Sequence, residues 1–112
     1  MTSKTLNSLA VAIRDAHGRL KEINLGRNSF NDKGGVRLGN SLRENTSLVK
    51  LNLSDNNFRD DTALAINKAL EENKSIEEVN LSRNLINIRT VALLEAKCAK
   101  NKELKALAEM PK

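Results

Sequence analysis

Apolar residues along this chain follow two rhythms in turn. In short stretches they occupy every second position, as in Leu51-Asn52-Leu53, which places them on one face of a strand. In the longer stretches between, they recur at spacings of three and four. Ala63, Ile66, Ala69 and Leu70 illustrate this and predict a helix over about 62–73. The helix starts carry capping residue types: Asp32 and Gly34, then Asp60, Asp61 and Thr62, then Thr90.

The two rhythms recur together. The segments LKEINLGRN from Leu20, LVKLNLSDN from Leu48 and IEEVNLSRN from Ile76 align at a 28-residue offset with no gap. Each reads L-x-x-L-x-L-x-x-N, carried by Leu20, Ile23, Leu25 and Asn28, by Leu48, Leu51, Leu53 and Asn56, and by Ile76, Val79, Leu81 and Asn84. Further columns follow: Phe30, Phe58 and Ile86; Leu38, Ile66 and Leu94; Leu42, Leu70 and Cys98. Asn45, Asn73 and Asn101 close each unit. One strand and one helix of this length cannot bury their apolar faces alone, so the units must stack. Strands stack at about 4.8 Å while helices need about 10 Å. The predicted fold class is therefore α/β, a solenoid arc with a parallel β-sheet on its concave side and α-helices on its convex side.

The unit resembles the leucine-rich repeats of the ribonuclease-inhibitor-like class, as carried by tropomodulin, the Ran GTPase-activating protein and Nod-like receptors. The resemblance covers about residues 20–104 and is specific for fold, nearly silent on function. It implies that the pattern asparagines are structural and that the outward strand face is the usual binding surface. By analogy it allows a regulator of actin filaments or of a small GTPase.

These columns predict a single domain over 1–112, with repeats at 20–47, 48–75 and 76–103. Residues 1–19, with Leu6, Leu9 and Ile13 at helical spacing, read as an N-terminal helical half-repeat or cap. At the other end Leu104 and Leu107 start a fourth pattern that breaks at Glu109, so 104–112 reads as a C-terminal cap. A fragment of a longer array is the competing reading.

Composition narrows the function classes. Aromatic residues make up 2% of the chain, so aliphatic side chains must fill the core. Cys98 is the one cysteine and sits in a buried-leucine column. His17 is the one histidine, beside Gly18, and reads as a surface or capping residue. That leaves no set of zinc ligands, no calcium-loop spacing and no glycine-rich phosphate fingerprint. We expect neither cofactor nor metal, and no enzyme. With no signal-peptide core and no stretch of membrane-span length, the expected location is cytoplasmic, or a host cell for a delivered effector. The net charge of +5 is a mild bias toward acidic partners. An alternative binder of nucleic acid or another anionic surface would use Lys97, Lys100, Lys102 and Lys105. Glu95, Glu103 and Glu109 interrupt that patch, and no Tyr or Trp is present for stacking.

The expected partner is therefore a protein, met by a monomer or by part of a longer array. The candidate surface is the outward strand face: Lys21, Glu22, Asn24 and Arg27; Lys50, Asn52 and Asp55; Glu78, Asn80 and Arg83. Stacking forms an Asn24–Asn52–Asn80 ladder, and the rows Glu22–Lys50–Glu78 and Arg27–Asp55–Arg83 alternate in sign. Such rows can select a partner by charge or simply pair with themselves. Leu85 and Ile88 stand where the other units have polar residues. They form either a contact patch or, the simpler expectation, an apolar pair beneath Leu107 or Met110.

Overall fold

The computed structural model describes residues 3–14 and 20–111, with side chains from residue 6; the reading of His17 lies outside them. The chain is a mixed α/β fold of leucine-rich-repeat type with four helices and a three-stranded parallel sheet. In order these are α1 (Ser3–Arg14), β1 (Glu22–Asn24), α2 (Asp32–Ser41), β2 (Lys50–Asn52), α3 (Asp60–Ala69), β3 (Glu78–Asn80) and α4 (Ile88–Ala108). Strand order is β1-β2-β3. Glu22 pairs with Lys50 and Lys50 with Glu78, and the same offset relates Ile23, Leu51 and Val79, then Asn24, Asn52 and Asn80.

The repeat columns become layers of the core. Leu25, Leu53 and Leu81 lie inside the sheet, and Leu38, Ile66 and Leu94 lie on the inner faces of α2, α3 and α4. Phe30 and Phe58 stack with ring centroids 6.5 Å apart, and Ile86 packs against the same cluster. Cys98 is buried as its column requires. Burial pushes its thiol up to about 11, helped by the charges of Glu95 and Glu78, so it is no thiolate nucleophile near neutrality. Leu20 departs from its column and is exposed, whereas Leu48 and Ile76 are fully buried.

Two ladders of asparagine lock the units together. Asn56 donates to the carbonyls of Leu25 and Leu53 and accepts from the N–H groups of Asn28 and Phe30. Asn84 repeats this one unit on, donating to Leu53 and Leu81 and accepting from Phe58. At the helix ends Asn45 donates to Ile13, Asn73 to Leu42 and Asn45, and Asn101 to Asn73 and Ile76. The Asn45 and Asn73 oxygens also collect the N–H groups of Ser47 and Leu48, and of Ser75 and Ile76. Chain turns leave such groups unpaired, and a buried orphan is costly.

Helix termini are satisfied in a way local sequence does not show. Asn31 and Asn87 cap α2 and α4 with their own side chains, while Arg59, the residue before α3, offers no side-chain cap. The carboxylate of Asp32 reaches this helix start from the neighbouring unit, accepting from Arg59 N at 2.8 Å and from the Thr62 hydroxyl at 2.6 Å. Asp60 does the same for Asn87 N. Both acids thus serve the following helix as well as favouring their own N-terminus by charge.

Two expectations change at the C-terminal side. The segment after Asn101, read as a cap because its repeat pattern breaks at Glu109, is helical: α4 runs without a break to Ala108, through Leu104 and Leu107. Asn45-Thr46-Ser47 and Asn73-Lys74-Ser75 turn the chain, with each Ser N–H bonded to the Asn oxygen. Asn101-Lys102-Glu103 lacks the Ser, and the good helix formers that follow extend the helix instead. Leu85 and Ile88 do not pack beneath the C-terminal segment. They are 59% and 82% exposed, and Leu107 and Met110 are exposed as well. Among the described residues no further layer covers that loop.

Helix α2 sits close to both neighbours because it is glycine-rich. A Cβ on Gly34 would come within 2.7 Å of Leu6, and one on Gly39 within 2.9 Å of the Ala65 Cβ and 3.0 Å of the Ile66 backbone. A Cβ on Gly35 would overlap the Thr62 hydroxyl and press on the Phe58 ring. Alanine gains about 1 kcal/mol of helix propensity, but overpacking costs about 1–3 kcal/mol. Gly35→Ala is therefore expected to lower Tm by several degrees in a thermal melt followed by circular dichroism. Asn73→Ala should cost more, about 3 kcal/mol, since it strands two carbonyls and two N–H groups in a buried site. Urea denaturation reads that loss directly, and a midpoint equal to that of the parent chain would contradict it.

Candidate functional site

The outward sheet face is built by strands of three residues each. Their middle residues, Ile23, Leu51 and Val79, turn inward. Their flanking residues turn outward: Glu22, Lys50 and Glu78 in one row, and Asn24, Asn52 and Asn80 in the next. A shallow depression of about 420 Å³ runs across these six positions.

The first row pairs with itself. Lys50 Nζ lies 3.7 Å from Glu22 Oε1 and 3.9 Å from Glu78 Oε2, with all three side chains more than half exposed. Pairs of this kind contribute about 0.2–1 kcal/mol each. The Asn ladder has a structural half that sequence reasoning missed. Asn24 Oδ1 accepts from Gly26 N, Asn52 Oδ1 from Ser54 N, and Asn80 Oδ1 from Ser82 N, which folds the chain back just after each strand. The Ser54 and Ser82 hydroxyls reinforce it. The Asn-x-Ser and Asn-x-Gly spacing is the signal that could have found it. The three amide nitrogens have no partner among the described residues, so the row presents donors outward.

Arg27, Asp55 and Arg83 lie beyond the strands, with φ of 61°, 56° and 57°. They occupy left-handed turns and are not strand residues. Their expected row forms only in part. Arg83 Nη1 lies 3.6 Å from Asp55 Oδ1, while Arg27 makes no ion pair among the described residues. The backbone ladder nevertheless continues through these turns, with Arg27 N donating to Ser54 O and Asp55 N to Ser82 O, each at 3.0 Å. Lys21 is exposed on the approach to β1, and its carbonyl receives the N–H groups of Val49 and Lys50.

Leu85 and Ile88 stand apart from the rows, in the loop between β3 and α4. Of the C-terminal lysines, Lys97 is tied to Glu71 and the Asn67 carbonyl, and Lys105 to Glu77. Lys100 and Lys102 remain exposed. Among the described residues no helix is long and apolar enough to cross a membrane.

Residues 20–39 and 44–66 match a family model described as Leucine Rich repeat. No curated protein matches the chain in sequence. Among solved structures, leiomodin-1 actin-binding site 2 is similar with a TM-score of 0.73 at 19% identity, over 97% of this chain and 80% of that one. The tropomodulin C-terminal domain of Caenorhabditis elegans is similar with a TM-score of 0.74 at 17% identity. There the match covers 87% of this chain and 59% of that one. At these identities the likeness is one of fold. The chain has a leucine-rich-repeat fold, similar to that of the tropomodulin and leiomodin domains.

Proposed function

We propose that the chain is a non-catalytic protein-binding module that docks a partner on its outward sheet face and the adjoining loops. The observation that carries this reading is the fixed geometry of the face. Donor amides and alternating charges stand in register on strands whose turns are pinned by the same asparagines. A rigid polar surface of this kind loses little conformational entropy on binding. Its area is limiting, since three strands about 4.8 Å apart offer a few hundred Å², whereas a stable interface buries about 800 Å² per partner. The exposed Leu85 and Ile88, with Lys21 and Arg27, extend it toward the required size. Two of the four C-terminal lysines are held in ion pairs, which supports a protein partner over an anionic polymer.

Actin is the first partner to test, because a domain named as an actin-binding site shares this fold over nearly the whole chain. We expect the chain to co-sediment with actin filaments. Asn52→Arg, which places a bulky cation at the centre of the face, should weaken that binding roughly tenfold or more. A melt checks that the variant is folded. Unchanged co-sedimentation by folded Asn52→Arg would remove the sheet face as the site, and no co-sedimentation of the parent chain would remove actin.

A further inference from the structure

Beyond the face lies the β3 edge of the sheet, which no further strand covers among the described residues. Between strands the ladder is regular: Leu25 N and Arg27 N donate to Asn52 and Ser54, and Leu53 N and Asp55 N donate to Asn80 and Ser82. In the other direction Lys21 O receives Val49 N and Lys50 N, and Val49 O receives Glu77 N and Glu78 N. The corresponding groups of the last strand are the N–H groups of Leu81 and Arg83 and the carbonyl of Glu77. They have no partner among the described residues. They open onto a groove of about 760 Å³ between β3 and α4, whose far wall includes Ile88, Val91, Glu95 and Lys102. Leu81 is itself only 4% exposed, so a strand entering the groove meets a well-packed apolar wall beside this N–H.

The charge rows say what fits there. Along the sheet Glu22 faces Lys50, which faces Glu78, and Asp55 is paired with Arg83. A strand added beside β3 in the same register meets Glu78 first, with Glu95 on the opposite wall, and Arg83 last. We propose that the β3 edge takes a parallel strand from a partner protein, running basic, apolar, polar, apolar, small, acidic. That is the chemistry of β2 and its turn, Lys50 to Asp55. The basic residue meets Glu78 and Glu95, the two apolar residues lie over Val79 and Leu81, and the acidic residue meets Arg83. Main-chain bonds to Glu77 O, Leu81 N and Arg83 N provide the rest.

A second copy of this chain stacked head to tail is the wrong occupant. It would bring Glu22 against Glu78 and Arg27 against Arg83, and like charges directly opposite are destabilising. Among the described residues the two outer strands carry the same pair, Glu and Arg. The alternation that knits the sheet together therefore also opposes its growth into a filament.

The test uses the full chain with two synthetic peptides, LVKLNLSDNN (residues 48–57) and LKEINLGRNS (residues 20–29). Both carry a strand pattern, and they differ in sign at the two charged positions. The expected result is slowed amide exchange at Leu81 and Arg83 with the first peptide, and roughly tenfold weaker binding of the second. A chain carrying Glu78→Lys with Arg83→Glu should reverse the preference. Equal binding of the two peptides would overturn the proposal. So would the absence of protection at Leu81 and Arg83, or sedimentation of the chain alone as a species associated through β3.

Discussion

Asn56, Asn73, Asn84 and Asn101 each reach from one strand–helix unit into the backbone of the unit before it. At every turn the chain strands carbonyl and N–H groups together, and only a side chain with donor and acceptor at one end can serve both. An aspartate would leave the carbonyls unpaired, and a leucine would leave everything unpaired. Because the reach is short, each unit is held at one offset from the last, and the sheet register follows. So do the stacked columns of leucine and phenylalanine, whose burial supplies most of the driving force. The asparagines contribute mainly by making any other register expensive.

A second set of contacts depends on the same offset. Asp32 and Asp60 cap the N-terminal side of the following helices only because the units are in step. The glycines of α2 allow that step to be short, since a single Cβ at Gly35 would displace Thr62, one of the two groups Asp32 holds. Close helix packing and cross-unit capping are therefore one feature here, and each fails without the other.

Much of this was legible in the sequence, because a 28-residue period converts directly into side-by-side positions. The core columns, the structural asparagines and the Glu22–Lys50–Glu78 row followed from it. What was not legible has physical causes. Leu104 and Leu107 satisfy both the first step of the strand pattern and a helical spacing of three. The absent serine after Asn101 tips that segment to helix, which leaves Leu85 and Ile88 uncovered. Asp32 looks like a cap for its own helix in any local reading, and its bond to Arg59 spans 27 residues. Arg27, Asp55 and Arg83 alternate in sign on paper, yet they sit in left-handed turns beyond the strands, and only Asp55 and Arg83 pair. In the candidate site, position was readable while hydrogen-bond occupancy was not. Nothing in the letters says that the oxygens of Asn24, Asn52 and Asn80 are used by their own turns.

That occupancy decides how the proposed docking would divide its labour. On the face, the Glu and Lys side chains already pair, and an exposed pair contributes at most about 1 kcal/mol. Exchanging it for a pair with a partner gains little net energy. The rows therefore discriminate between partners, because a mismatched charge loses the internal pair and makes no new one. Affinity has to come from elsewhere. Burying an exposed side chain such as Leu85 or Ile88 is worth about 1.5–3 kcal/mol, more than any single ion pair on the face. Those two residues sit beside the open end of β3, where the unpaired N–H groups of Leu81 and Arg83 also lie. On this proposal the surface that recognises and the surface that holds are adjacent but distinct. The first is set by the repeat, and the second by the one unit that departs from it.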